Sequence, residues 1–292
     1  MLRFVVLLLL ALGGCASPPD AEAAAPRLVL CGGDEVFVVD LQGRKSWGWR
    51  AVEDPALPDA FRPLFRSTDE CKPTADGRVV ITSSGGAAAV VDRATRRATF
   101  WARVVNAHSA ELLPRNRLAA AASVGQGGDR LLLFDLARPG DPPLWSDALP
   151  SGHGVVWDAD RGLLWALGGE ELRAYLLEAW DGSAPRLTRL ETHRLPSPGG
   201  HDLSPVPFSS RLLVTTGTEV LSFDRETRRF EPHPRLGKAA KVKGISVDPR
   251  TGRTVYVQAE ESWWAFGVRF LEPDGRLNLP GRRLYKARWL TD

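Results

Sequence analysis

Short apolar or alternating runs follow one another along the chain from Arg27 onward, and each is closed by a cluster of Gly, Pro, Asp, Asn or Ser. Arg27–Cys31, Val36–Asp40 and Ser46–Arg50 are the first three, separated by Gly32-Gly33-Asp34 and by residues 41–44. Residues 51–67 are less regular, carry three prolines and read as a crossing between units. A second unit starts near Glu70-Cys71-Lys72-Pro73, turns at Asp76-Gly77, and continues through Val79–Thr82, Ala88–Asp92 and Ala98–Val104. Several third strands end at an acid, as in Val36–Asp40, Leu131–Asp135 and Val220–Asp224. No long stretch repeats with the 3.6-residue period of a helix, so the pattern predicts an all-β chain.

A longer period overlies the strands. His108, His153 and His201 each precede an apolar strand by about the same distance, and Lys243 holds the corresponding place in the unit after them. Intervals of 45, 48 and 42 residues between these positions, with four strands in each, are the signature of a β-propeller. Six units are expected. The first lacks its innermost strand, and the alternating stretch Leu284–Leu290 at the C-terminus is expected to supply it and close the ring. A pair of β-sandwiches would not produce register-matched repeats.

Composition adds the setting. The 292 residues are 43% hydrophobic, enough for a sizeable core, and 28 Gly with 22 Pro suit a chain of many turns. A net charge of +3 gives no reason to expect nucleic acid. Residues 211–292, with 16 Lys and Arg against 10 Asp and Glu, would suit an anionic ligand or be ordinary surface scatter. Arg3, the apolar stretch Phe4–Leu12 and the ending Leu12-Gly13-Gly14-Cys15 resemble a bacterial lipoprotein signal. That resemblance implies a signal peptide over residues 1–14, lipidation of Cys15 and export to the cell envelope; the composition of the next residues reads as a tether over 15–26, which leaves the propeller over 27–292. The membrane would be met only through the lipid, and the propeller is expected to be a monomer. Cys31 and Cys71 remain as two small buried thiols or a disulfide.

The chemistry lies in the matched positions. Innermost strands line a propeller's channel, so His108, His153 and His201 should converge on one mouth. Three imidazoles aimed at one point would hold a divalent metal ion. Alternatively they bind substrate directly, or bond to backbone as scaffold. Lys243 would act as a base or, with Lys241, bind an anionic group. Glu70 and Lys72 fall near the same register with an ambiguity of two or three residues, since strict matching selects Thr68; both are taken as candidate catalytic groups. Gln126 and Trp263 are candidate substrate contacts, with Glu170, Glu260 and Glu261 as further loop residues. There is no phosphate-binding glycine motif, no Cys-x-x-Cys and no Gly-x-Ser-x-Gly.

The segments Asn106-Ala-His108-Ser-Ala-Glu-Leu-Leu-Pro, Gly152-His153-Gly-Val-Val-Trp-Asp, Gly200-His201-Asp-Leu-Ser-Pro and Lys243-Gly-Ile-Ser resemble a family of bacterial propeller proteins known only as a domain of unknown function. More loosely, histidines gathered at a propeller mouth are similar to the oligogalacturonate lyases. That similarity implies a metal ion on His108, His153 and His201 binding a uronate carboxylate, with Lys243 as the base of a β-elimination. A glycan- or protein-binding module without turnover is the competing expectation.

Overall fold

The computed structural model describes residues 25–182 and 184–291. The signal peptide and Cys15 lie outside the described residues, as does all of the tether but Ala25 and Pro26. The described strands form six four-stranded antiparallel sheets. Their innermost strands are Lys286–Leu290, Thr68–Pro73, Ala107–Leu113, Gly154–Asp158, Asp202–Pro205 and Val242–Val247, in blades one to six. Adjacent inner strands pack round the ring, and the last packs on the first. The chain is an all-β six-bladed propeller.

Closure occurs as the alternating C-terminal pattern predicts. Lys286–Leu290 pairs antiparallel with Arg27–Gly32, with Cys31 opposite Lys286 and Arg27 opposite Leu290. Leu284, the first residue of the expected strand, instead bridges to Ala265 of blade six. Two short 3-10 turns, Ala51–Glu53 and Arg62–Phe65, lie in the crossing segment, and Pro63 is within the second. Phe65 and Leu57 plug the space between blades one and two there.

The second and third strands of each blade are buried on both faces, which explains their nearly unbroken apolar runs; Val79, Val80 and Ile81 are at most 1% exposed. Outer strands such as Trp145–Ala148 alternate half-buried and exposed positions. Apolar clusters therefore lie between neighbouring blades and not along the axis. Cys31 and Cys71 are buried free thiols, matching the first of the two expectations. No helix among the described residues is long and apolar enough to cross a membrane.

Candidate ligand site at the channel mouth

The inner strands begin alike. In blades two, three and six the register shifts at Asp69, His108 and Lys243, leaving each as an extra residue between two paired neighbours. In blades four and five, His153 and His201 donate backbone N–H bonds to Leu167 and Thr215, at 2.9 and 2.8 Å. Those carbonyl residues are already paired with Gly154 and Asp202. Tyr285 does the same with Cys31 in blade one, at 2.8 Å, where Lys286 is the strand partner. Three blades thus open with a bulge, which re-aims one side chain out of the strand's ordinary alternation, and in the other three the residue before the strand bonds the carbonyl of the first partner. Tyr285, Asp69, His108, His153, His201 and Lys243 form a ring of six, one per blade.

The ring lines a cavity of about 400 Å³ together with Trp263, Trp264, Ser67, Ser84 and Asn106. The His108 and His153 rings stack at 4.2 Å with 14° between planes, and His201 meets His153 edge-on at 5.2 Å. Lys243 Nζ lies 3.0 Å from His201 Nε2. An ammonium only donates, so His201 Nε2 accepts and its proton sits on Nδ1, a buried atom with no partner. His153 Nδ1 lies 2.8 Å from the Ser151 carbonyl, which only accepts, so His153 carries its proton there. Trp264 packs edge-on to Tyr285 at 6.2 Å, while Trp263 stands 55% exposed at the rim. Glu260, in the same loop, is held by Arg276 at 3.0 Å through both carboxylate oxygens.

Directly below the ring the channel is closed by charge. The next residues on the inner strands are Lys286, Glu70, Ser109, Gly154, Asp202 and Gly244. Arg288 reaches in from beneath to bond Glu70 at 2.9 and 2.8 Å and Asp202 at 2.8 and 2.6 Å. Lys286 lies 3.0 Å from Asp202, 3.4 Å from Glu70 and 3.1 Å from the His108 carbonyl. A Cβ on Gly244 would come within 2.9 Å of the Lys286 side chain, so glycine leaves room for that long side chain. Two carboxylates and two cations balance, and the layer is a neutral plug.

Burial sets the titration of the mouth above the plug. Burial depresses all three histidines, helped by the nearby lysines: His153 falls to about 4, His201 to about 3, and His108 well below the usual range. Burial, with Lys241 and Lys286, brings Lys243 down to about 8. Burial raises Asp69 to about 7 against the opposing bonds from Ser84. Burial would also raise Glu70, but Arg288, Lys286 and Lys72 outweigh it and hold it at about 2. At neutral pH the mouth therefore carries neutral imidazoles, a largely cationic Lys243 and a half-ionised Asp69.

The three histidines and Lys243 do converge, at the register the repeat specifies. Asp69, not Glu70 or Thr68, is their counterpart in blade two; a single bulge defeats turn-to-turn matching. Glu70 is fully buried in the plug, away from the cavity. Lys72 lies one layer lower, bonded to Glu111 at 3.1 Å and Ser109 at 3.2 Å, and opens toward the opposite mouth. Trp263 lines the cavity; Lys241 and Gln126 are exposed and do not. Glu170 lies in a wider groove of about 620 Å³ over blade four, lined also by Ser151 and Arg194. The mouth is smaller but holds the convergent titratable groups. Asp69 and Tyr285 were missed: both precede a charged residue on an inner strand, and neither is a histidine.

A three-imidazole metal site does not fit this arrangement. Two rings lie face to face, and the third presents Nε2 to an ammonium. Among the described residues no group of three or more His, Cys, Asp or Glu side chains is placed to hold an ion.

The model of a family of unknown function (DUF6528) matches residues 35–292. No curated protein matches the chain. Among solved structures, a chain of a nidogen/laminin complex is similar with a TM-score of 0.63 and 13% identity, covering 91% of this chain and 98% of that one. That likeness is one of fold.

Proposed function

This chain belongs to DUF6528, a family of unknown function, so membership brings no activity with it, and we infer that its channel mouth binds a small anionic, carbohydrate-like ligand. The observation that carries the reading is Lys243 beside His201, with the buried His201 Nδ1–H unpartnered, in a cavity whose floor is closed by a neutral plug. A buried-cavity ammonium suits a carboxylate, and His201, which accepts from Lys243 through Nε2, keeps an unpartnered N–H on its other edge. Trp263 and Trp264 give the cavity an aromatic wall against which a sugar ring packs. The reading places the protein at the cell envelope, exported and lipidated on Cys15, with the mouth open to ligands there. Titrating galacturonate and glucuronate into the purified protein, with tryptophan fluorescence and calorimetry as readouts, tests it. Binding that weakens at least tenfold in Lys243→Met supports the reading; equal binding in that variant overturns it.

A second reading, lyase-like turnover, is favoured by one feature. Lys243 at about 8 and Asp69 at about 7 bracket neutrality from opposite charge types, the condition for a base and an acid working in one pocket. In a β-elimination a base takes the proton next to the carboxylate, the bond to the leaving oxygen breaks, and that oxygen takes up a proton. Unsaturated uronate product, followed by its ultraviolet absorbance with oligogalacturonate, distinguishes this from binding alone. The reading involves no metal step, and chelator should leave binding unchanged.

A further inference from the structure

Opposite Lys243 and His201 the mouth holds a gap between two buried polar atoms. Asp69 is 2% exposed and His108 9%. One carboxylate oxygen of Asp69 accepts the backbone N–H of Ser84, which fixes the group's orientation. Its other oxygen, Oδ1, lies 3.7 Å from His108 Nδ1, too far for a direct hydrogen bond. His108 Nδ1 is buried and has no partner. A buried nitrogen left in that state keeps a desolvation cost that a partner would relieve. A contact serving only to join blades two and three would be drawn together.

The missing partner can be specified by its chemistry. An oxygen roughly 2.8 Å from both atoms fits a 3.7 Å separation. It must donate to the Asp69 carboxylate and accept from an imidazole N–H, or donate to a bare imidazole nitrogen and accept from protonated Asp69. A hydroxyl does both, as does a water that such a hydroxyl would displace. A carboxylate or ether oxygen only accepts, and an ammonium only donates. In a ring of six blades, the pair from blades two and three lies diametrically across from the pair from blades five and six.

We propose that Asp69 and His108 form a hydroxyl-reading subsite facing the carboxylate-reading pair Lys243 and His201, so that the mouth selects a sugar-sized hydroxy acid of the uronic or aldonic acid class. The carboxylate end rests on the function proposed above, whereas the hydroxyl end stands on the Asp69–His108 gap alone. The specificity-determining residue is then Asp69.

Three probes separate the two ends: galacturonate carries both groups, galactose only hydroxyls, and cyclohexanecarboxylate only the acid. Affinities are measured by calorimetry on the full chain and on Asp69→Ala, Asp69→Asn and Lys243→Met, with thermal melting to confirm folding. Asp69→Ala should weaken galactose and galacturonate at least tenfold and leave cyclohexanecarboxylate within about twofold, since a site built to bond a hydroxyl discriminates strongly against its loss. Asp69→Asn, which keeps the Oδ1 acceptor, should recover part of that loss. Lys243→Met should weaken cyclohexanecarboxylate and spare galactose. Loss of all three probes equally in Asp69→Ala, or of none, overturns the subsite. Galactose binding that depends on Asp69 without any binding of cyclohexanecarboxylate upholds the subsite and overturns the anionic reading. No binding of any probe at millimolar concentration overturns both.

Discussion

Two layers of the same six strands, one residue apart, use their polar groups in opposite ways. In the plug, Glu70, Asp202, Lys286 and Arg288 are saturated by one another. In the mouth above it, the His108 and His201 Nδ1 atoms are buried without partners, and Asp69 stands 3.7 Å from the nearest imidazole nitrogen. A saturated network offers a ligand nothing, whereas an unsaturated one keeps a cost in the free protein that a ligand can relieve. The difference identifies which of two adjacent charged layers is structural and which is a site. The residue at the start of each inner strand, a bulge in blades two, three and six, separates them.

The largest effect should come from breaking the plug. Arg288→Met leaves Glu70 and Asp202 buried without their shared guanidinium and should lower stability by about 3–5 kcal/mol in denaturant unfolding. A loss under about 1 kcal/mol would mean that the plug is not the structural layer.

The next effect tests the mouth through pH. Asp69 is raised to about 7 in the folded protein, so its contribution is full below the ordinary carboxylate range and is lost as pH rises through about 7. His153, depressed to about 4, has the opposite sign: its contribution is full above the ordinary histidine value and is lost as pH falls toward 4. Asp69→Asn removes the first of these. Its stability relative to the parent should therefore increase between pH 4 and 8, by on the order of 4 kcal/mol. Parallel stability curves for the two proteins would contradict the buried, raised carboxyl.

Lys243→Met should show the inverse of the plug variant. Stability should stay within about 1 kcal/mol while affinity for a uronate falls at least tenfold, about 1.4 kcal/mol. In the parent protein the same affinity should decline as pH rises through about 8, where Lys243 loses its charge. A flat affinity across that range would remove Lys243 from the anion's contacts. The smallest effects belong to Gln126→Ala and Lys241→Ala. Both side chains lie outside the cavity, and uronate affinity should change by less than about twofold. A tenfold change from either would relocate the site.

The propeller was legible because its causes are local and repeated. Apolar runs buried on both faces, turns of Gly, Pro and Asp, and a period near 45 residues all point to one architecture. The odd strand at the C-terminus follows from the same counting. The histidine positions were legible for the same reason, since three identical side chains at one register mark themselves. Asp69 and Tyr285 were not: in blade two the bulge shifts the turn-to-turn count, and in blade one the inner strand comes from the far end of the sequence. Glu70 and Lys72 looked equivalent to the mouth residues only while the bulge was uncounted; one extra residue in a strand moves a side chain to a different layer.

By itself, then, the sequence determined the six-bladed ring, its closure by the last strand, and four of the six residues at the mouth, because each depends on patterns that short-range physics enforces. The tertiary structure decided which charges neutralise one another and which are left open. That depends on distances between side chains more than 200 residues apart in sequence, such as Glu70 and Arg288, and only the closed ring brings them together.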